Sequence, residues 1–531
     1  MDAAVAHQGK QSVKITSPSD QEIPAILMSN PVAAEPGQTY VITAYLKSEA
    51  KSGEAEILAL RSDERGVSGR CSLEITNQWR RYRLVFQAAG NAPGYRVRID
   101  AGQGTTWIDD VSLTPLAEAD KTGPALGYRY ADKPGDKAIT LTVGQPTGQT
   151  LRNINGVCYA YGFGLKEFPA KWAEANLKVV RLHDVLSNLK ILHKQPDGSF
   201  TYDYTVLDKA VDEILAVGAV PQINLCFVPV EMVANPDPKL IRGNNRYYRG
   251  QPSDYGQWEQ YVYNVVKHCS DRYPNVADWF WVFGNEPGVR QFSMGTHEEY
   301  YTLYKHTLAG ALRANPKIRI GAGSFAHFDW LKDFVERCAA DKTRADLITW
   351  HHFDVVPEDY TAKIVKVRAL LAKHPAFDHA TLAIDEWNTI LPDNRPISFS
   401  SGNYAAAHMT ASIYYMMKSG LDYQTHFLAC HAADWGGMMS RKGVKQPTFN
   451  AAQMLGMLGT DELNLTAPQD EPYVGGFAAR RKDGAITVIV WYVKSRNDIS
   501  PDFDKTITLR LPGVEPSASV TRYLIDRQHS N

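Results

Sequence analysis

Cysteine is scarce in this sequence. Its six residues, at 71, 158, 226, 269, 338 and 430, form no close pairs. That spacing argues against a disulfide framework and a cysteine-rich zinc site, and buried free thiols are expected instead. An excess of charge is also lacking: 57 basic residues meet 58 acidic ones, for a net charge of −1. No overall basic field exists to hold a nucleic-acid backbone. No apolar run approaches the ~18 residues that suggest a membrane span. Nucleic acid and membrane are therefore set aside as partners. The first thirty residues carry no signal-peptide core, so the chain is expected to be cytoplasmic or to have shed an export signal. No G-x-G-x-x-G follows the first strand of the central region, which leaves a dinucleotide site without support.

Aromatic residues are plentiful, at 11%, with 27 Tyr and 11 Trp. Aromatic faces stack on the C–H faces of sugars, although they also fill cores. Residues 1–118 read as all-β. Runs such as SVKIT (12–16), YVITAYLKS (40–48) and YRVRID (95–100) alternate apolar and polar positions. That two-residue period, broken by turn residues, fits a β-sandwich. A polar linker (119–137) follows. Between 150 and 462 short apolar runs alternate with helical periods. Leu207, Ala210, Val211, Ile214 and Leu215 share one helix face, and Thr296-x-x-Glu299 is a capping box. Eight strand–helix units fit a (β/α)8 barrel, with a doubly wound open sheet as the alternative. Residues 138–149 and 463–531 return to alternating strands, and a small accessory sandwich built from both ends of the barrel segment is expected.

Two barrel strands end in carboxylates. WVFGNEPG (281–288) ends in Asn285-Glu286-Pro287, and LAIDEWN (382–388) in Asp385-Glu386-Trp387-Asn388. Strand C-termini carry the active site of such barrels, so Glu286 on strand 4 and Glu386 on strand 7 would share one mouth. Glycoside cleavage needs this pairing. One carboxyl donates a proton to the leaving oxygen, and the other attacks the anomeric carbon or activates water. The proton donor needs a raised pKa, which burial and a neighbouring anion supply. A lone Glu at a strand end is usually an ion-pair partner; two, each beside Asn, are harder to explain that way.

Together with VVRLHD on strand 2, these segments resemble the clan A retaining glycosidases, and within them glycoside hydrolase family 39, over most of 150–460 and beyond. The closing RYLIDRQHSN (522–531) resembles that family's C-terminal sandwich. The resemblance implies that Glu286 is the general acid/base and Glu386 the nucleophile. It implies that Asn285 bonds the hydroxyl beside the anomeric carbon and that His183 binds the sugar in the −1 subsite. Arg181 would hold a catalytic carboxylate or brace the barrel. Of His351 and His352 only one can face the mouth, and His352 is expected to do so. Trp387, Trp435 and Phe227 are candidate stacking platforms, each with core packing as its plainer reading. No HExxH-like spacing supports a metal at the histidines, and no cofactor is expected for catalysis.

Two departures touch the sugar pocket. Gly288 stands where the family's β-xylosidases commonly carry Asn, and strand 8 reads THFLACHAADWGGMM rather than a Trp-rich version. The loop after strand 3 interleaves Arg242, Arg246 and Arg249 with Tyr247 and Tyr248. Arginine forks suit carboxylate or sulfate groups, so Arg249 joins the substrate-binding candidates. The N-terminal region resembles jelly-roll carbohydrate-binding modules through TTWIDDVSLTPL (105–116). That likeness makes Asp110, or Asp109, a candidate ligand for structural calcium. Residues 7–16 read as the second strand of that fold, as though the first were missing and the chain trimmed at both ends, which suits a secreted or periplasmic protein. The leading reading is a retaining glycosidase of plant, algal or microbial polysaccharide or its oligosaccharides, β-xylosidase-like by default. Two alternatives stand beside it. One is the same mechanism on an arabinofuranosyl, uronic or sulfated glycan; the other is a silent carbohydrate-binding protein.

Overall fold

The structure, a computed structural model, describes residues 2–17, 25–49, 53–63, 67–89, 92–102, 104–116, 139–159, 168–242, 247–289, 291–292, 295–354, 356–389, 398–430, 436–467, 473–493, 506–526 and 528–530. The expected linker (119–137), Trp435 and Arg246 lie outside these residues.

Eight parallel strands close into a barrel: Gly156–Tyr159, Val179–Leu182, Val220–Leu225, Phe280–Phe283, Arg319–Phe325, Leu347–His351, Thr381–Trp387 and Tyr423–His426, numbered barrel strands 1 to 8. The open-sheet alternative falls. Alternation explains the closure. On strand 2, Val180 and Leu182 belong to the large core shared with the helices, while Val179 packs with Ala383 and Tyr423 inside the barrel. Arg181, the other inward residue, lies one level nearer the mouth. The barrel is thus plugged by apolar side chains low down and polar above. Tyr423 marks the transition: its ring stacks on Phe280 at 4.4 Å, and its hydroxyl donates to Gln222 Oε1 at 2.9 Å.

Two of the long barrel helices start at side-chain caps. Thr296 and Glu299 form the capping box of helix His297–Ala314. Asp254 caps Tyr255–Arg272 by accepting from the backbone of Gly256 and Gln257. Leu207, Ala210, Val211 and Ile214 are the buried face of Thr205–Ala216.

The N-terminal region is a sandwich of two four-stranded antiparallel sheets. In chain order its strands take the places 1-8-3-6 and 2-7-4-5. Val13–Ser17, expected as the second strand, is the first among the described residues and pairs with Gly104–Pro115. The sandwich has a core of its own, with Ile42, Leu46, Ile57, Leu84 and Ile99 at its centre. Asp109 and Asp110 are engaged within the protein. Asp110 Oδ2 lies 2.8 Å from His7 Nδ1, and Asp109 Oδ2 accepts from the His7 backbone at 2.8 Å. A calcium ion at Asp110 would have to displace that histidine.

The accessory element is, among the described residues, one five-stranded sheet. Ile139–Thr150, which precedes the barrel, lies between Asp461–Thr466 and Ile507–Arg510, which follow it. Phe477 and Trp491 of this sheet pack on Tyr414 of the last long barrel helix, Asn403–Lys418.

Candidate active site

The Asn285-Glu286 corner leaves strand 4 between two glycines. Gly284 (φ +91°) and Gly288 (φ +81°) both hold left-handed backbone, and Glu286 itself sits at φ +45°. Left-handed backbone is cheap for glycine and costly for glutamate. The corner is pinned by the Glu286 N–H donating to the Ser324 carbonyl at 2.8 Å. Gly288 has a second purpose, since a Cβ there would collide with the Trp330 indole. The absence of Asn at this position is thus a packing requirement of this chain.

Arg181 organises the centre. Fully buried, it donates to Glu386 Oε2 at 2.8 Å, Asn285 Oδ1 at 2.6 Å, Ser324 Oγ at 3.1 Å and Asn224 Oδ1 at 3.3 Å. Asp385 Oδ2 lies 3.4 Å from its Nε and accepts from Gln222 and Ser324. A guanidinium fork suits this planar, many-partnered role. It bonds Glu386 and, through Asn224, Asn285 and Ser324, ties the ends of strands 3, 4, 5 and 7 together. Because Asn285 turns its amide oxygen to Arg181, its NH2 is the group left to donate outward. The Cys158 thiol, 3.3 Å from Arg181, is pushed up to about 12 by burial and stays protonated.

Glu286 and Glu386 meet across the mouth with a histidine between them. One donor atom from each of Glu286, His351 and Glu386 lies within 4.8 Å of the others. Glu286 Oε1 accepts from or donates to His351 Nδ1 at 2.7 Å. Burial pushes the Glu286 carboxyl up, but the His351 hydrogen bond and the charges of His351, His183 and Arg181 outweigh it. The group lies below the usual glutamate range. The expectation of a raised donor is therefore not met at Glu286. Burial pushes His351 down, yet the Glu386, Glu286 and Asp385 carboxylates more than reverse this, and its imidazole is held above the ordinary value. The three donor atoms have the spacing of a metal site, but Arg181 already places a positive charge on Glu386. The arrangement suits proton transfer better than cation binding.

His183 follows strand 2, with Nε2 4.0 Å from Glu386 Oε2 and Nδ1 2.5 Å from Asp184 Oδ1. It stays partly exposed at the mouth. Other candidates move. His352 faces away: its ring meets Tyr360 edge-on at 4.9 Å, and burial holds it down to about 3. The inward residues of strand 6 are Leu347, Thr349 and His351, and a register shift that skips Asp385 on strand 7 brings His351 opposite Glu386. Trp387 is no platform. It is fully buried, its Nε1 donates to Gln424, and Tyr360 and His426 press on it. Phe227 is buried too, stacked on Tyr247 at 4.5 Å and parallel to Phe292. Arg249 braces its own loop by donating to the Lys239 carbonyl at 2.5 Å, while Arg242 is exposed.

Sequence reasoning missed His351, Asp385, Gln222, Asn224 and Ser324 as parts of the site. A signal existed: Gln222 and Asn224 alternate with Ile223 and Leu225, which places polar groups at successive inward positions of one strand.

The model of Glycosyl hydrolases family 39 matches residues 165–531. A β-xylosidase of Geobacillus stearothermophilus is 24% identical over 398 residues, covering 67% of this chain and 75% of that one. A β-xylosidase of Caldicellulosiruptor saccharolyticus is 23% identical over 388 residues, covering 67% and 77%. Among solved structures, a monomeric β-xylosidase from Caulobacter crescentus CB15 superposes with TM-score 0.59 at 20% identity, over 71% of this chain and 84% of that one. The superposition speaks for the fold.

Proposed function

Since the chain belongs to glycosyl hydrolases family 39 and is a glycosidase, we propose that it is a retaining β-xylosidase-type enzyme with Glu286 as acid/base and Glu386 as nucleophile. The observation that carries the assignment is the spacing. Oxygens of the two carboxyls within 4.8 Å suit the roughly 5–5.5 Å of retaining enzymes and leave no room for the water of an inverting one.

In this reading Glu386, held by Arg181, attacks the anomeric carbon while Glu286 protonates the leaving oxygen. Glu286 then draws a proton from the water that releases the sugar. Asn285, its oxygen committed to Arg181, donates to the hydroxyl beside the anomeric centre, a contact that tightens as the oxocarbenium-like charge develops. Xylose is the default sugar because the two curated relatives are β-xylosidases. We further read the N-terminal sandwich as a glycan-binding module and the protein as secreted or periplasmic. Recovery of the activity in a cytoplasmic fraction alone would contradict that location.

The test of mechanism is product analysis on aryl xylosides and xylo-oligomers, with the first-formed anomer read by proton NMR. Retention is expected. Glu386→Gln is expected to lose about 10⁴-fold or more in kcat, and Glu286→Gln about 10²–10⁴-fold on poor leaving groups. An inverted first product, or full turnover by Glu386→Gln, would remove the assignment.

A further inference from the structure

His351 belongs to no role described so far. Its ring is 3% exposed and lies between the two carboxyls on the barrel's inner wall. Nδ1 is 2.7 Å from Glu286 Oε1, while Nε2 faces Asp385 Oδ1 at 3.7 Å and Glu386 Oε2 at 3.8 Å. Both His351 Nε2 and Asp385 Oδ1 are buried without a hydrogen-bond partner among the described residues. Buried polar atoms are rarely left so. Here the two orphans face each other, a donor position against an anion, one small displacement from a bond. The other charges around the ring are Glu386, Arg181 on Glu386, and His183 at the mouth.

The geometry points to His351 as a positioning residue that stores the proton of Glu286, with Asp385 as the fixed anion behind it. The inference rests on the assignment of Glu286 as acid/base. A carboxylate oxygen and a bare imidazole nitrogen 2.7 Å apart repel, so in the resting enzyme one proton lies on the Glu286–His351 line, and the line is empty only while the sugar is held on Glu386. With it on Nδ1, the pair is imidazolium and carboxylate. With it on Oε1, the pair is neutral imidazole and carboxylic acid, and Nε2–H still points at Asp385 in either case. The cycle then balances. The proton crosses from Nδ1 to Glu286, and the carboxyl passes a proton to the glycosidic oxygen as the C–O bond breaks and the Glu386–C1 bond forms. In the second half a water gives its hydroxyl to C1 and its proton to Glu286, Glu386 leaves as carboxylate, and the proton returns to Nδ1. Asp385 keeps its charge throughout, so the store survives when Glu386 is esterified.

A bracing histidine and a proton store differ in the pH profile. The alkaline limb of kcat/KM in the wild type would report loss of the shared proton, bound more tightly by the pair than by a glutamate alone. His351→Gln retains a donor to Glu286 but cannot store a proton. It is expected to move that limb down by one pH unit or more, measured on a phenyl glycoside that needs acid assistance. Asp385→Asn is expected to move it the same way by less, and serves if His351→Gln does not fold. In wild type with ¹⁵N-labelled histidine, the His351 nitrogens are expected to lose their shared-proton signature along the same limb. An unmoved limb in both variants, or a His351 signal that titrates elsewhere, would overturn the inference. Glu286→Gln separates the two readings. If it keeps full turnover, the acid/base assignment has failed; if it is inactive while His351→Gln keeps the wild-type limb, only the proton store has.

Discussion

At the residue scale the molecule turns on Arg181. A buried charge is tolerated when its partners are fixed around it, and removing one member of a buried pair commonly costs about 3–5 kcal/mol. Arg181→Met would leave Asp385 with only the neutral donors Gln222 and Ser324. A loss of stability of that order is expected in urea unfolding. Arg181→Lys should be milder for stability and still damaging for turnover. A point charge cannot reach Glu386 and Asn285 together as the fork does, and a misplacement of ~1 Å can cost about 10²-fold. Wild-type kcat in Arg181→Lys would show that holding Glu386 does not depend on the fork.

At the scale of single strands, the ends of the barrel strands decide both chemistry and acid tolerance. His352 follows strand 6 and His426 ends strand 8; burial holds both down to about 3. Unfolded, each titrates near 6.5. The native advantage of keeping them neutral is therefore complete above about pH 6.5 and declines as pH falls toward 3, by about 1.4 kcal/mol per pH unit for each. His351, held above its ordinary value, runs the other way: its contribution is full below about pH 6.5 and is lost as pH rises through its folded value. His426→Gln is expected to flatten the decline of melting temperature between pH 6.5 and 4, and an unchanged slope would contradict the assignment. The strands themselves were legible. Seven of the eight apolar runs of the barrel region contain their strands whole, and the fifth, read as 318–323, stops two residues short of its strand's end at Phe325; a strand covered by helices must be apolar outward along its length. The two Glu were legible because strand ends are where such barrels work. Preferring His352 misread the alternation of strand 6: Ile348 and Trp350 face the helices, so His351 faces in, and the one-residue register shift lies on strand 7, where it lets both Asp385 and Glu386 reach the interior. The burials of Trp387 and Phe227 were not legible. An aromatic at a strand end reads the same whether a sugar or a helix covers it.

At the scale of the whole molecule, two cores are distinct: that of the sandwich and that of the barrel with its accessory sheet. Separate cores make the two regions separable. A chain lacking 1–118 is expected to keep turnover of small aryl glycosides and to lose retention on insoluble xylan, measured by depletion from the supernatant. Equal retention with and without the sandwich would contradict its reading as a glycan-binding module. The accessory sheet imposes a schedule on synthesis. Thr147 and Glu462, hydrogen-bonded at 2.8 Å, lie 315 residues apart in the chain. At roughly 5–20 residues per second of translation, the strand before the barrel waits on the order of 15–60 seconds for its neighbours to emerge from the ribosome. Throughout that interval it presents two bare edges, so the nascent chain is a natural client for chaperones until Asp461–Thr466 and Ile507–Arg510 arrive.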